Sequence, residues 1–330
     1  MASQTRVTSP ERRKAVLEAC RKNPRLGHTL LSKHLLKKHP QLFATLDIAM
    51  NAVRWHRGQR GQAARKQAKK RGTLRIPPLP PSLAKDWLPF IVDARRILNL
   101  SDIHIPFHNA AALEAALAYG DSINPDCILL NGDVLDFAGI SRFARDPRGP
   151  SVRDELDICG QFLDHLRARF PRAQIIWKLG NHEERWERML WAKAPEILDI
   201  AEFAWEKWAG VERNRVQTVR DQRIVMLGKL AVLHGHELPR GITSPVNPAR
   251  GAFLRTLDSV LIGHYHQHSD HTERTIHGHI IVARATGCLC DLTPEYARLN
   301  RWCHGFATVT VEKDGTYDVN LKRIIHGEVF

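Results

Sequence analysis

Five short segments, in a fixed order, carry acidic, amide and imidazole side chains at the ends of apolar runs. They are Asp102-Ile103-His104, Gly132-Asp133-Val134-Leu135-Asp136, Gly180-Asn181-His182-Glu183, His234-Gly235-His236 and Gly263-His264-Tyr265-His266. Four of the five follow or end a run that reads as a strand: Arg96–Ser101, Asp126–Asn131, Leu230–Leu233 and Val260–Ile262 are the clearest. Spaced roughly 30 to 50 residues apart, they meet in space only if the strands are parallel neighbours whose loops converge on one edge, as in an open α/β sheet. The pattern therefore constrains fold and chemistry together.

The chemistry follows from the side chains. An Asp-x-His on an extended segment places both groups on one face, because side chains alternate with period two, and the same holds for each His-x-His. A glycine before Asp133 permits an unusual backbone angle or a close approach, so Asp133 can present one oxygen to each of two cations. Asn181 offers a neutral amide oxygen suited to a hard divalent ion, and its neighbour His182 is left to act as an acid. Two cations roughly 3.5 to 4 Å apart would clamp phosphoryl oxygens, offset developing charge and make hydroxide available near neutral pH. A histidine would protonate the leaving alkoxide.

The five motifs together resemble those of the calcineurin-like metallophosphoesterase superfamily, over about residues 95 to 325. The resemblance implies an α/β fold, a two-sheet sandwich flanked by helices. It implies that Asp102, His104, Asp133 and His266 surround one metal and that Asp133, Asn181, His234 and His264 surround the other, with Asp133 bridging. His182 matches the general-acid position, and Asp136 and Glu183 match positions that support the ligands. Either His234 or His236 satisfies the fourth motif; His234 is preferred because it ends the apolar run directly, and His236 is then a supporting neighbour. The cofactors implied are two divalent ions, Mn²⁺ first, with Fe, Zn²⁺ or Mg²⁺ as alternatives. His108 and Arg185 lie close enough to the motifs to be candidates for substrate contact.

Charge divides the chain unevenly. The net charge is +14, yet residues 1–75 hold 19 Lys and Arg against Glu11, Glu18 and Asp47, leaving 30 basic and 32 acidic residues beyond them. So basic a segment on an otherwise balanced chain points to a polyanionic partner. Ser9-Pro10-Glu11 reads as a capped helix start, with Val16, Leu17 and Cys20 on one stripe. Asn23-Pro24 stops that helix. A second is expected from about Thr29 to Lys38, and a third from about Leu46 to His56, with Ile48, Ala52, Val53 and Trp55 available for burial. Three short helices make a helix-turn-helix type bundle. Its third helix would present Asn51, Arg54 and Arg57 to nucleic acid, followed by a basic tail with Arg60, Lys66, Lys69 and Lys70.

Residues 1–72 thus read as a small all-α nucleic-acid-binding domain, 73–90 as a proline-rich linker and 91–330 as the catalytic domain. Helical spacing from Asp154 to Phe170 predicts a crossover between parallel strands. Trp186, Trp191, Trp205 and Trp208 are expected mostly to pack a helical cap rather than to stack on bases. Alternation from Phe306 to Val311 and from Tyr317 to Leu321 around Asp314-Gly315 predicts a hairpin in the second sheet. The six cysteines read as reduced and mostly buried. There is no long apolar run for a membrane span and no signal core, so a cytoplasmic protein with no membrane contact is expected; no feature specifies an oligomeric state. The favoured reading is a DNA-directed nuclease that uses a metal-bound hydroxide. The alternatives are a phosphoprotein phosphatase or small-molecule phosphodiesterase, and a DNA-binding scaffold with a vestigial metal site.

Overall fold

The computed structural model describes residues 9–58, 78–143, 146–239 and 246–330. Arg60, Lys66, Lys69 and Lys70 lie outside the described residues. The chain divides into two compact units, Met1–Ala84 and Lys85–Phe330.

In the first unit, α1 (Pro10–Lys22), α2 (His28–Lys38) and α3 (Leu46–Arg57) form where capping chemistry directs them. The Ser9 side chain accepts from the Arg12 N–H with Pro10 in the first turn, and Thr45 accepts from the Ile48 N–H. Each cap satisfies a backbone donor that a helix start leaves open. Their buried faces meet in a core of Val16, Cys20, Leu31, Leu35, Ala49, Ala52 and Val53, completed by Phe43 from the α2–α3 connection. Two expectations change. Trp55 is half exposed, because it lies two positions beyond Val53 and so about 200° round the helix. Arg57 does not present a free basic group: its guanidinium donates to the Leu26, Cys20 and Asn23 carbonyl oxygens and ties the α1–α2 corner together. Asn51 and Arg54 are exposed.

The second unit is a two-sheet sandwich. One sheet has seven strands in the order β13-β12-β11-β2-β3-β4-β5. These are β13 (Glu328–Val329), β12 (Tyr317–Ile325), β11 (Gly305–Val311), β2 (Arg96–Leu100), β3 (Cys127–Asn131), β4 (Gln174–Lys178) and β5 (Val216–Val219). The other has six, β1-β6-β7-β8-β10-β9: β1 (Phe90–Val92), β6 (Val225–Leu227), β7 (Leu230–Val232), β8 (Val260–Ile262), β10 (Ile280–Ala285) and β9 (Ser269–Arg274). Strands β2 to β5 are mutually parallel, with α4 (Ala110–Ile123) crossing from β2 to β3 and α5 (Val152–Arg169) from β3 to β4. The continuous apolar runs arise because both faces of these strands are covered. Leu98, Leu100, Ile128, Leu130, Ile175 and Trp177 pack under the helices, whereas Ile97, Cys127, Leu129 and Ile176 pack between the sheets.

Three details differ from the sequence-based expectation. The C-terminal hairpin β11–β12 pairs with β2 and so extends the sheet that carries the first three motifs. The motifs are divided: three follow β2, β3 and β4, and two follow β7 and β8 of the other sheet. Phe90, placed at the end of the linker, already pairs with Val225. Of the four tryptophans after the third motif, Trp205 is buried with its ring 4.9 Å from Trp177, and Trp186 packs on Phe137. Trp191 and Trp208 remain about half exposed. Among the described residues no helix is long and apolar enough to cross a membrane.

Candidate metal centre

The backbone at the site is unusual before any side chain is considered. Asp102, His104, Asp133, His264 and His266 all have positive φ, between 52° and 68°. Left-handed backbone costs a non-glycine residue roughly 1–2 kcal/mol, and its concentration here is the pattern of conformational strain held at a functional site. It also corrects the expected geometry. Asp102 and His104 lie beyond the end of β2, and His264 and His266 beyond β8. Their side chains converge through left-handed turns rather than by strand alternation.

Backbone hydrogen bonds hold these turns. The Asp102 N–H donates to Gly132 O (3.1 Å), His104 N–H to Asp133 O (3.0 Å) and Gly263 N–H to His234 O (2.8 Å). The His264 N–H donates to the Asp102 carboxylate at 2.9 Å. Two glycines are required by contact. A Cβ on Gly132, whose φ is +82°, would lie 2.3 Å from His234 Nδ1, and one on Gly180 would lie 2.2 Å from Asp133 Oδ1.

The side chains form two adjoining groups around Asp133. In the first, His104 Nε2 and His266 Nε2 are 3.2 Å apart, and His266 Nε2 is 3.2 Å from Asp102 Oδ1. In the second, Asp133 gathers with His234 and His264. Asp133 Oδ2 is 3.1 Å from His234 Nε2 and 4.0 Å from His104 Nε2, so it faces both groups. His234 Nδ1 is 2.7 Å from Asn131 O, which directs Nε2 inward. Burial pushes His104 and His264 downward, and His182 and His234 respectively add to it, with His264 reaching about 3. Burial alone would raise Asp102, but His266 and His234 hold its carboxyl below the usual range. Against burial, Asp133 leads the groups that raise His234 to about 10, and Cys288 and then Asp102 raise His266 to about 9. Since neutral imidazoles and ionised carboxylates are the forms that bind metals, these two rings would each give up a proton to a cation.

The donor set fits divalent cations. Asn181 Oδ1, His234 Nε2 and His264 Nδ1 are buried with no hydrogen-bond partner. Buried polar atoms of this kind are costly unless something satisfies them, and His234 Nε2 lies 3.1 Å from a carboxylate oxygen without the alignment of a hydrogen bond. His234 and His264 gather with Asp133, and a positive ion there would satisfy their unpartnered nitrogens.

Around the donors stands a supporting frame. The buried Glu183 carboxylate accepts four backbone N–H groups: Val134 (2.8 Å) and Leu135 (3.0 Å) on Oε1, Asp133 (3.0 Å) and Gly180 (2.7 Å) on Oε2. It thus clamps the second and third motifs together. Burial, then the Asp133 carboxylate, pushes Glu183 upward, against the pull of those donors. Asp136 Oδ1 meets His104 Nδ1 at 3.1 Å and His182 Nδ1 at 3.0 Å, orienting both rings. Against the cost of burial, those two contacts hold Asp136 well below the ordinary carboxylate range. His236 turns away from the centre, with Nε2 3.1 Å from Glu184 Oε1. His234 is therefore the histidine of the fourth motif that faces Asp133. Arg185 reaches His182 Nε2 at 2.8 Å. His108 is not among the grouped donors of the described residues; its backbone bridges to Cys290.

Sequence reasoning missed several neighbours. Cys290 Sγ lies 3.9 Å from His266 Nδ1 and joins a group with His104 and His266; the Cys288-x-Cys290 spacing was its only signal. Trp302 packs its ring 4.1 Å from that of His266. Buried Lys178 and largely buried Glu237 form an ion pair beside the fourth motif. No local pattern announces either contact.

A two-sheet sandwich with clustered carboxylates and imidazoles at the meeting edge of the sheets defines a metal-dependent hydrolase. Residues 95–271 match the calcineurin-like phosphoesterase family, and the chain belongs to it. The family is dimetal-dependent, and the His/Asp groups described above are the candidate ligands here. The chain is similar to the Gene 54 protein of Mycobacterium phage L5, 24% identical over 231 residues, covering 66% of this chain and 90% of the relative. It is 27% identical over 180 residues to the Gene 54 protein of Mycobacterium phage D29, covering 53% and 70% respectively. Among solved structures, Vps29 from Entamoeba histolytica is 12% identical with a TM-score of 0.36, covering 71% of this chain and 96% of its own. Yfce, a phosphoesterase from E. coli, is 14% identical with a TM-score of 0.32, covering 68% and 98%.

Proposed function

We propose that this phosphoesterase cleaves nucleic-acid phosphodiesters, with DNA as the favoured substrate, and that residues 1–75 bring it to the polymer. The observation that carries the reading is the partition of charge: 19 basic and 3 acidic residues before position 76, on a chain whose remainder is balanced. A cationic segment of that density tracks a phosphate backbone. Exposed Asn51 and Arg54 on α3 supply side chains suited to base edges and phosphates.

In this reading Asp102, His104, Asp133 and His266 hold one cation and Asp133, Asn181, His234 and His264 the other. The mixed oxygen and imidazole donors favour Mn²⁺ over Mg²⁺, with Fe and Zn²⁺ as alternatives. When bound, the two ions offset the charge of the phosphoryl group and lower the pKa of coordinated water. The protein's own groups do the rest. His182 delivers a proton from Nε2 to the leaving oxygen, while Asp136 holds Nδ1. Glu183 keeps Asp133 and Gly180 at fixed separation, so that Asp133 can serve both ions.

The test is Mn²⁺-dependent cleavage of labelled circular and linear DNA, run beside bis(p-nitrophenyl) phosphate and p-nitrophenyl phosphate, with Asp133→Ala as control. DNA cut by the wild type and not by the variant supports the nuclease. Hydrolysis of the small esters with intact DNA removes nucleic acid as substrate and keeps the metal chemistry, leaving phosphoproteins and small phosphate esters as targets.

A further inference from the structure

Arg185 stands in the first turn of α6 (Glu184–Lys193), directly after the third motif. Its guanidinium turns back over that motif. Nη1 donates to Asp136 O at 2.8 Å, and Nη2 lies 2.8 Å from His182 Nε2. A guanidinium has donors only, so Nε2 is the acceptor. The ring proton of neutral His182 is then on Nδ1, where Asp136 O at 2.8 Å and Asp136 Oδ1 at 3.0 Å receive it. The engaged edge is the working edge, since Nε2 is 3.8 Å from Asp133 Oδ2.

That arrangement cannot persist through the reaction. A ring nitrogen that accepts from Arg185 carries no proton, so it can serve a leaving oxygen only after Arg185 has left it and a proton has taken that place. An ester held beside Asp133 brings anionic phosphoryl oxygens to the same place, and these are stronger acceptors of a guanidinium than a carbonyl or a neutral imidazole. Arg185 can keep its backbone position on α6 and exchange acceptors by side-chain rotation alone, because its backbone N–H is separately fixed to His182 O at 3.0 Å.

We propose that Arg185 is a ligand for the substrate's phosphoryl anion that rests on His182 until substrate arrives. Binding of the phosphate ester draws the guanidinium from Nε2 onto the phosphoryl oxygen; the vacated Nε2 takes up a solvent proton, while Asp136 keeps the Nδ1 proton, and passes it to the leaving oxygen. The inference rests on His182 as the acid in the reading above; it does not depend on nucleic acid as the substrate.

The test compares p-nitrophenyl and phenyl phosphate esters, as diesters and monoesters, in excess Mn²⁺. The proteins are the wild type, Arg185→Ala, Arg185→Lys and His182→Ala, with inorganic phosphate as competing anion. Loss of a charge-assisted contact to the anion should raise KM and the phosphate inhibition constant about ten- to a hundredfold in Arg185→Ala. The factor should be equal for both leaving groups, with the kcat ratio of phenyl to p-nitrophenyl ester unchanged. Arg185→Lys should recover part of the loss and also serves if the alanine variant folds poorly. Constants within about twofold of wild type, or a fall in kcat confined to the phenyl ester, would overturn the proposal and make Arg185 a permanent positioning partner of His182. His182→Ala showing no preference between leaving groups would instead sink the acid assignment, while the KM comparison still judges Arg185 as an anion ligand.

Discussion

Lys178, the last residue of β4, buries its ammonium 2.7 Å from the Glu237 carboxylate, which in turn accepts the backbone N–H groups of His234 and Gly235. Lys178 also donates to Arg223 O at 2.8 Å. This ion pair thus helps fasten the fourth motif, carried by the six-stranded sheet, to the strand of the seven-stranded sheet that carries the third. The two sheets meet at the site through side-chain bonds, this pair together with those of His234 to Asn131 O and of His264 N–H to Asp102, and not through shared strands.

Replacing Glu237 by Gln keeps the shape and leaves the ammonium buried without its counter-charge. Breaking a buried pair on one side costs about 3–5 kcal/mol. Denaturant unfolding should show a loss of that order, and Mn²⁺ titration should show weakened binding. The pH dependence has a definite sign. Burial would raise Glu237, but Lys178 leads the groups that hold it at about 2, below the unfolded value of 4.5. A depressed carboxyl contributes stability above the unfolded value and loses it as pH falls through the folded one. Wild type should therefore lose more stability than Glu237→Gln between about pH 4.5 and pH 2; parallel curves for the two proteins would refute the assignment.

Glu183 offers a second test of support without direct chemistry. Its two oxygens receive four N–H groups from the second and third motifs. In Glu183→Gln, an amide NH₂ replaces one of those oxygens and faces two donors. Loss of an outer hydrogen-bond partner costs about 10- to 100-fold in metal affinity. Calorimetric Mn²⁺ titration should report that loss in a protein whose circular dichroism is unchanged. Affinity equal to wild type would show that the turn holds itself.

Gly180→Ala should be more damaging than its size suggests. The new methyl would meet Asp133 Oδ1 at 2.2 Å and Asp133 N at 2.5 Å, so the central carboxylate must move. A displacement of about 1 Å at a catalytic group can cost about 10²-fold in rate. Hydrolysis of bis(p-nitrophenyl) phosphate should fall at least that far, with retained secondary structure. A variant of near-normal activity would show that the Asp133 loop yields freely.

What could be read from the chain alone follows from how local each signal is. Apolar runs ending in Asp or His marked β2, β3, β7 and β8, because strands covered on both faces leave unbroken apolar segments. Ser9-Pro10 marked α1 because a cap acts within one turn. The allocation of strands to two sheets was not legible, since Val260–Ile262 reads alike in either. Nor were the left-handed turns at Asp102, His104, His264 and His266, which neighbouring loops impose and no residue preference predicts. The choice between His234 and His236 needed the Glu184 carboxylate that claims His236. Lys178 looked like any polar strand end until Glu237 appeared beside it.

Arg54 and Arg57, three positions apart on α3, separate binding from folding in the basic unit. Arg57 spends its guanidinium on the carbonyls of Cys20, Asn23 and Leu26, two of which flank the end of α1. Hydrogen bonds from a charged donor contribute about 1.5–3 kcal/mol, so Arg57→Ala, which removes those to three partly buried carbonyls, should lower the unfolding free energy of the first unit. Arg54 is exposed, and its removal should change stability by no more than about 0.5 kcal/mol. On the reading that this unit engages DNA through phosphates, Arg54→Ala should weaken binding across all sequences and reduce the salt slope by about one. Binding titrations of the full chain at several salt concentrations, beside thermal unfolding of each variant, give both readings. Equal DNA affinity and salt slope for wild type and Arg54→Ala would remove α3 as the contacting helix. Unchanged unfolding in Arg57→Ala would show that the α1–α2 corner does not depend on its clamp.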